Sequence, residues 1–324
     1  MKKIYDVVAL GELLIDFTTS GSSSQGNPMF EANPGGAPCN VLALLEKMGK
    51  SCAFIGKVGK DMFGKQLKAT IEEVGISTEG LIMDENYNTT LAFVKTFENG
   101  DRDFSFYRQP GADMMLTASE VREDLIASAK IFHFGTLSMT HEGVREATKK
   151  AIAYAKEKGL TISFDPNYRE PLWNSLKEAK EQMDFGLSVC DILKISDNEI
   201  ELMTGESDFD KAAAILREKY PNIQLLNVTA GAGGSYAYYK DKRVFVPIYS
   251  SEGIIETTGA GDTFGGSVLN YVLEHGLDTL TEEDLKEMLR FSNTAAYLVA
   301  TKKGAIRSMP EREQVEDLLA GKTK

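Results

Sequence analysis

The feature that most limits how this chain can fold is a repeated alternation between short apolar runs and longer stretches with a helical period. Residues 5–10 read as a buried strand, and residues 40–48 follow as an amphipathic helix that Gly49 closes. A strand at 53–58 and a helix at 63–74 repeat this order. Strands that alternate with helices predict a parallel α/β sheet with helices on both faces.

The alternation continues through the chain, with two exceptions. Further strands are predicted at 131–135, 160–165, 192–195, 223–229 and 235–239, and further helices at 142–158, 262–275 and 282–299. The exceptions are residues 16–33, which are rich in serine and glycine, and residues 89–107, which read as a hairpin around Asn99 and Gly100. We expect these two stretches to pair as a small sheet that covers the site. The chain is therefore predicted to be one domain, residues 1–324, with a lid formed by about 16–34 and 88–110.

Charge and cysteine content argue against several classes of protein. The 324 residues include 36 basic and 48 acidic side chains, and this net charge of −12 disfavours binding to a nucleic-acid backbone. The three cysteines form no CxxC pair and no cluster with histidine, so neither a zinc site nor a disulfide framework is indicated. No apolar run approaches the roughly 20 residues of a membrane span. We expect a cytoplasmic protein with no nucleic-acid or membrane partner.

The strongest chemical signal is the segment TTGAGDTF at 257–264, between an extended run at 253–256 and a predicted helix. Its glycines permit close approach of a ligand, and the unpaired amides at a helix start attract an anion. A carboxylate beside a phosphate site repels the ligand. The presence of Asp262 therefore suggests a task, which is to accept a proton from an attacking hydroxyl. The alternative is an ordinary aspartate in the first turn of a helix.

Two weaker signals lie near the N-terminus. In the segment NPGGAPCN at 33–40, Gly35 and Gly36 let the backbone approach a ligand, and Asn40 can donate and accept hydrogen bonds. Taken alone, a glycine pair is more typical of an ordinary loop. Asp16 follows the first strand, at the carboxyl edge of the sheet where ligands usually bind. It is either a polar loop residue or an acceptor for sugar hydroxyls.

The order and spacing of these segments resemble those of the ribokinase-like (PfkB) carbohydrate kinases along nearly the whole chain. Residues 56–64 resemble that family's turn after the second strand, and residues 301–305 and 308–310 resemble its C-terminal end. Within the family, residues 104–113 and 165–173 are most similar to bacterial fructokinases. The resemblance implies a ribokinase-like three-layer α/β/α sandwich with a mostly parallel central sheet and a small β-sheet lid. It also implies transfer of the γ-phosphate of ATP to the 6-hydroxyl of D-fructose, with Mg²⁺.

The resemblance also implies roles for individual residues. Asp262 would be the catalytic base, and Gly259, Ala260 and Gly261 would form an anion hole for the transferring phosphoryl group. The sugar would contact eight residues: Asp16, Gly35, Gly36, Asn40, Phe93, Phe106, Arg108 and Arg169. Judged without the resemblance, the two arginines are more typical of the surface.

On the nucleotide side the resemblance is less complete. It implies ATP contacts from six residues: Lys194, Ser196, Thr229, Gly231, Gly234 and Asn293. It also implies that Glu199 helps to organise Mg²⁺ indirectly. Ser196 stands where the family usually has asparagine, and its shorter reach puts a direct triphosphate contact in question. Gly233 stands where many relatives have lysine, so one positive charge is missing near the phosphates.

A potassium site beside the anion hole is a further implication. The family usually has aspartate where this chain has Glu256, which is one methylene longer but keeps the oxygen ligands that a hard cation prefers. The implied ligands are Glu256, Thr258, Val299, Lys302, Gly304 and Ser308. The sequence leaves open whether K⁺ activates the protein.

The sequence also leaves two alternative functions, and it predicts a homodimer. A 2-keto-3-deoxygluconate kinase would share the lid arginine and the DPN-x-R passage. A non-catalytic sugar or nucleotide sensor on the same fold is disfavoured by the presence of both Asp262 and Glu199. The alternating apolar residues Leu91, Phe93, Phe104 and Phe106 predict a lid face that packs against a second lid, forming a homodimer.

Overall fold

The computed structural model describes residues 4–96 and 102–322, and this part of the chain forms two β-sheets flanked by helices. In chain order the strands are β1 (Tyr5–Leu10), β2 (Leu14–Ser22), β3 (Pro28–Gly35), β4 (Cys52–Gly59), β5 (Ser77–Asp84), β6 (Leu91–Thr96), β7 (Arg102–Tyr107), β8 (Ala129–Gly135), β9 (Thr161–Asp165), β10 (Ile192–Ser196), β11 (Leu225–Thr229), β12 (Ser235–Tyr239) and β13 (Lys242–Val246). The helices are α1 (Ala37–Lys47), α2 (Met62–Glu73), α3 (Glu123–Ala127), α4 (Glu142–Glu157), α5 (Leu176–Val189), α6 (Asp197–Thr204), α7 (Phe209–Lys219), α8 (Ala260–His275), α9 (Glu282–Ala300) and α10 (Arg312–Leu319).

The larger sheet has nine strands in the order β13-β12-β11-β10-β9-β8-β1-β4-β5. Neighbours from β11 to β5 pair in parallel, and only the pairs β11–β12 and β12–β13 at one edge are antiparallel. The predicted mostly parallel sheet is confirmed. Parallel strands end along one edge of the sheet, so the loops after β1, β9 and β10 emerge side by side.

Side chains of the central strands alternate between two hydrophobic cores. In β1, Val7 and Ala9 face the core that α1, α2, α8, α9 and α10 cover, whereas Val8 and Leu10 face the core under α3 to α7. A strand that is apolar on both faces is typical of a sheet covered on both sides. The predicted three-layer sandwich is therefore confirmed.

The two stretches that lacked the alternation form the smaller sheet, as predicted. Its order is β3-β2-β6-β7, in which β2 and β6 pair in parallel and the other neighbours are antiparallel. The predicted turn at Asn99 and Gly100 lies outside the described residues. We call this sheet the lid.

The strand register of the lid shows that the prediction of a single apolar face was wrong. Phe93 lies opposite Ser105, whereas Phe106 lies opposite Ala92. Because directly paired residues share one face of a sheet, Leu91 and Phe93 lie on the face opposite to that of positions 104 and 106. The four apolar residues therefore do not form one surface, since the hairpin register is offset by one residue from the predicted pattern.

Several helices and strands of the structure were not predicted from the sequence. Neither β5 nor β13 was predicted, nor were α3, α5, α6, α7 and α10. In β5 the interior Gly80 interrupts the apolar pattern, and it is needed because a side chain there would come within 2.5 Å of the Phe54 carbonyl oxygen. The predicted extended run at 253–256 is not a strand but part of the long loop between β13 and α8. No helix in the described ranges has both the length and the apolar character to cross a bilayer.

Candidate active site

Two adjoining cavities open at the carboxyl edge of the larger sheet. The first encloses about 220 Å³ between this edge and the lid, and the second encloses about 420 Å³ between the loop after β11, the 247–258 loop and α9. Thr257 and Gly261 line both. A molecule in one cavity can therefore meet a molecule in the other at the start of α8.

Asp262 lies at this junction, in the first turn of α8. The helix begins after Gly259, whose φ of 77° is in the left-handed region, and an added Cβ there would come within 2.8 Å of the Ala305 Cβ. Asp262 lines the first cavity, and its Oδ2 accepts a hydrogen bond of 2.7 Å from Asn40 Nδ2. The amides of Gly259, Ala260 and Gly261 lie at the same helix start, where backbone N–H groups lack helical partners.

The environment of Asp262 suits a proton acceptor. Burial and the nearby charge of Asp165 raise the pKa of Asp262 to about 6, although the Asn40 hydrogen bond and the charges of Lys194 and Arg169 act to lower it. A carboxyl group with this pKa is ionised at neutral pH and is a stronger base than an ordinary aspartate.

Five of the eight predicted sugar contacts line the first cavity: Asp16, Gly36, Asn40, Phe106 and Arg169. Gly35 lies just behind it, where a side chain would collide with the Asp16 carboxylate. Phe106 and Val94 reach the cavity from the lid, so the lid supplies its apolar wall.

The other two predicted sugar contacts lie elsewhere. Phe93 stacks on Phe17 with ring centroids 4.8 Å apart, on the outer face of the lid, so it does not form the predicted apolar wall. Arg108 is buried and does not line the cavity. Its guanidinium donates to Asp113 Oδ2 at 2.8 Å, Thr140 Oγ1 at 2.7 Å and the Leu137 carbonyl oxygen at 2.9 Å. These bonds fasten Arg108 to the protein core.

A positive charge lies under the junction. Lys194 Nζ is 3.1 Å from Asp165 Oδ2, and it would lie 3.1 Å from a Cβ added to Gly261. Burial alone would lower the pKa of Lys194, but the charges of Asp165, Glu199 and Asp262 raise it, so the ammonium stays protonated. Asp165 therefore holds a cation close to the backbone of the predicted anion hole.

Ser196 and Glu199 form a capping box at the start of α6. Glu199 Oε2 accepts from the Ser196 amide at 2.8 Å, and Glu199 Oε1 accepts from the Tyr168 amide at 2.7 Å. Serine is among the best N-cap residues, which gives Ser196 a local role that does not need the longer asparagine side chain. Both residues line the first cavity, as does Lys194, rather than the second.

The second cavity contains the other four predicted ATP contacts: Thr229, Gly231, Gly234 and Asn293. The Asn293 side chain is already engaged, because its Oδ1 accepts from Ser235 Oγ at 2.9 Å and its Nδ2 donates to the carbonyl oxygens of Val246 and Pro247. Asn293 therefore fixes the wall of the cavity, and these protein contacts already use both ends of its amide.

Two of the predicted potassium ligands, Glu256 and Gly304, are joined by a hydrogen bond. Glu256 Oε2 accepts a long hydrogen bond of 3.4 Å from the Gly304 amide, while Glu256 Oε1 is buried without a hydrogen-bond partner. The loop that contains Glu256 also donates two backbone hydrogen bonds to the Ala300 carbonyl oxygen at the end of α9. A buried carboxylate oxygen without a hydrogen-bond partner suits a hard cation, which prefers oxygen ligands. In the described ranges, no group of three or more His, Cys, Asp or Glu side chains is arranged to hold a metal.

Two residues of the site were not singled out in the sequence. Glu12 lines the first cavity, and Asp165 pairs with Lys194. The sequence does place both residues at the carboxyl ends of predicted strands, where ligands usually bind. Glu12 is separated from the first strand by one glycine, and Asp165 is the last residue of another strand, before Pro166.

Comparison with known proteins gives consistent matches over the full chain. The model of the pfkB family carbohydrate kinases matches residues 5–312. Fructokinase-2 of Solanum lycopersicum is 42% identical over 317 residues, which are 97% of this chain and 96% of that protein.

Solved structures match equally well. A fructokinase from Xylella fastidiosa with bound ATP superposes with a TM-score of 0.87 at 29% identity, with all of both chains covered. A double mutant of the fructokinase from Vibrio cholerae O395, with fructose, ADP and a potassium ion bound, has a TM-score of 0.85 at 25% identity and covers 98% of this chain and 99% of its own. The predicted alternative of a 2-keto-3-deoxygluconate kinase finds no support in these matches.

Proposed function

The chain belongs to the pfkB family of carbohydrate kinases, and from this premise we propose that it transfers the γ-phosphoryl group of ATP to the 6-hydroxyl of D-fructose. The observation that carries the proposal is the shared wall at Thr257 and Gly261, beside Asp262. A sugar in the first cavity and a triphosphate reaching from the second would meet at this wall.

Asp262 is the base in this proposal. Its ionised carboxylate accepts the proton of the fructose 6-hydroxyl as that oxygen attacks the γ-phosphorus in line. Asp16 accepts hydrogen bonds from the other sugar hydroxyls, and the Asn40 amide can accept from them or donate to them. Asn40 also donates to Asp262 Oδ2 at 2.7 Å, which orients the carboxylate.

Charge on the transferring group is balanced by the start of α8 and by Lys194. The amides of Gly259, Ala260 and Gly261 offer donors at a helix start. The Lys194 ammonium, held 3.1 Å from Asp165 Oδ2, adds a positive charge from the sheet side that the Asp165 carboxylate partly offsets. Lys194 thus supplies a positive charge in this chain, which has Gly233 where many relatives have lysine.

Magnesium and potassium are proposed as ions of this enzyme. Both Glu199 oxygens accept backbone hydrogen bonds, which fits an indirect role in which Glu199 reaches Mg²⁺ through water. When bound with ATP, Mg²⁺ would neutralise phosphate charge. The orphaned Glu256 Oε1 fits K⁺, with oxygen ligands from Thr258, Val299, Lys302, Gly304 and Ser308. Replacing K⁺ by Na⁺ in the assay is expected to lower turnover, and a Glu256→Gln variant is expected to lose this difference.

Fructose is proposed as the acceptor because the full-length relatives and solved structures reported above are fructokinases. A coupled ADP-release assay with fructose, ribose and 2-keto-3-deoxygluconate tests the proposal. We expect ADP release that depends on fructose. Turnover only with 2-keto-3-deoxygluconate, or release that no sugar stimulates, would refute it.

The lid is proposed as the interface of a homodimer. Its outer face presents Phe30, which is 42% exposed, and Tyr107, which is 67% exposed, beside the Phe17–Phe93 stack. Exposed aromatic residues on a sheet with open edges favour a covering partner. Light scattering at micromolar concentration should give a dimer, and Phe30→Asp should shift it to a monomer. A monomeric parent protein would refute the interface.

A cytoplasmic location is also proposed. Cys39, Cys52 and Cys190 are buried free thiols, which is typical of a reducing compartment.

A further inference from the structure

Glu12 is a buried carboxyl group in the wall of the sugar cavity that the mechanism above does not use. It follows β1, is 3% exposed and lines the first cavity. Its Oε1 accepts a hydrogen bond of 2.8 Å from the amide of Ala37, the first residue of α1. The side chain therefore bridges the loop after β1 and the start of a helix 25 residues further along the chain.

The start of α1 lacks a local cap. Its N-cap residue, Gly36, has no side chain, and Pro38 in the first turn has no amide hydrogen. A side chain at Gly36, whose φ is 125°, would collide with the Glu12 backbone carbonyl oxygen. The close approach of the two segments thus excludes an ordinary N-cap side chain. Glu12 provides the missing acceptor from outside the helix.

Asn40 connects this cap to the base. Its backbone amide donates the helical hydrogen bond to the Gly36 carbonyl oxygen at 2.9 Å, and its side-chain Nδ2 donates to Asp262 Oδ2 at 2.7 Å. A shift of the first turn of α1 would therefore move the Asn40 side chain relative to Asp262. We propose that Glu12 is a positioning residue for the base: by capping α1 from the loop after β1, it holds Asn40 in the hydrogen bond to Asp262.

The charge state of Glu12 supports a role in geometry rather than in charge. Burial raises the pKa of Glu12 to about 7, and the charge of Asp113 acts in the same direction, while the Ala37 hydrogen bond and Arg108 oppose it. Near neutral pH both forms of the carboxyl are therefore populated. The protonated form keeps a carbonyl oxygen that accepts from the Ala37 amide.

The inference rests on the proposed function. Two substitutions of Glu12 test the inference separately from that function. Glu12→Gln keeps an oxygen acceptor and should retain kcat within about fivefold, because a neutral amide accepts the bond less strongly than a carboxylate. Glu12→Leu removes the acceptor and should lower kcat by about 10- to 100-fold, as expected when a reacting group is misplaced. The KM for ATP should stay unchanged in both variants, since Glu12 does not line the second cavity. Fructose-dependent turnover by the parent protein tests the function before either variant is compared.

Two readouts distinguish positioning from a general loss of structure. The Asn40 hydrogen bond lowers the pKa of Asp262, so its loss should raise that pKa in Glu12→Leu and in Asn40→Leu alike. Carbon-13 NMR titration of the Asp262 carboxyl measures this without sugar, with Asp165, Lys194 and Arg169 as the unchanged charged neighbours. The double variant should be no slower than the slower single variant, because both act through one bond.

Glu46 provides a matched control. Burial raises its pKa to about 7 as well, and its Oε1 accepts from the amide of Cys52 at 2.7 Å, away from both cavities. Glu46→Leu should lower the melting temperature but leave kcat unchanged. The proposal is overturned if Glu12→Gln loses as much activity as Glu12→Leu, if the losses of Glu12→Leu and Asn40→Leu multiply, or if the Asp262 pKa does not move. If Glu12→Leu fails to fold, Glu12→Ala, which also lacks the acceptor, replaces it in all three comparisons.

Discussion

The two cavities that meet at Gly261 are built from different chemistry. The smaller one is lined by the polar side chains of Glu12, Asp16, Asn40, Lys194 and Asp262, and hydrogen bonds or an ion pair to protein groups hold four of them, Glu12, Asn40, Lys194 and Asp262. The larger one is lined mainly by apolar side chains and small residues: Ile248, Ile254, Phe264, Ala296, Tyr297 and Ala300 with the glycines of the loop after β11.

This difference indicates two modes of recognition. Polar side chains in fixed positions discriminate between substrates, because a mismatched hydroxyl leaves a buried group without its partner. An apolar cavity holds a flat ring mainly by burial, which discriminates weakly. We therefore expect the protein to be strict towards its sugar and tolerant towards the base of its nucleotide.

The largest expected effect concerns the base at the polar side of the junction. Asp262→Asn should lower kcat by about 10²- to 10⁴-fold while the affinities for fructose and ATP change little, because the amide cannot accept the proton. Steady-state kinetics and calorimetric binding measure the two parts separately. The control is Asp210→Asn, which alters a surface ion pair with Arg243 and should leave kcat unchanged. A kcat near the parent value would show that Asp262 is not the base.

A somewhat smaller effect is expected for the cation under the junction. Lys194→Met should reduce kcat on the order of 10²-fold, as is typical when one stabilising donor is removed from a transition state. Lys130→Met is the matched control, since Lys130 pairs with Asp6 at 2.8 Å at the opposite edge of the sheet. Equal kinetics for the two variants would show that Lys194 only holds Asp165.

The pH dependence tests the polar cavity directly. Because the pKa of Asp262 is raised to about 6 and the base must be ionised, kcat/KM for fructose should be constant above this pH and fall by about tenfold per unit below it. The direction follows from the mechanism, since acid protonates the base. A profile that stays flat down to pH 4.5 would contradict the raised pKa.

The smallest expected effect concerns the apolar cavity. GTP should replace ATP with a kcat/KM within about tenfold, because the one asparagine of the wall is engaged by protein groups. Asn293→Ala should leave the ATP to GTP ratio unchanged and destabilise the protein by about 1–3 kcal/mol, since buried partners lose their hydrogen bonds. A preference for ATP above about 10⁴-fold would mean that backbone groups recognise the base.

Two features of the structure could be predicted from the sequence: the parallel sheet, which comes from a repeated pattern, and the start of α8, which a glycine-rich motif marks. The alternation of apolar runs predicted the parallel sheet, and TTGAGD predicted that Asp262 lies at the start of a helix. The lid faces were not predictable, because one residue of register exchanges Phe93 for Phe106 and the pattern alone does not set it. The contacts of Arg108 and Glu12 were also out of reach. Both depend on partners distant in the chain, namely Thr140 and Ala37.

The fastening of Arg108 has a mechanical consequence for the lid. Arg108 directly follows β7, and its buried ion pair with Asp113 pins that corner of the lid to the body of the protein. β2 begins at the buried Leu14 and β3 ends at the buried Gly35, at the same end of the lid, so all four strands are held there and a tilt of the lid would use this end as its pivot. Phe106 is two residues from this pivot and would be displaced only slightly, whereas the far ends of β6 and β7 would be displaced further. Tilting can thus widen the entrance for the sugar while the aromatic wall stays almost still above it.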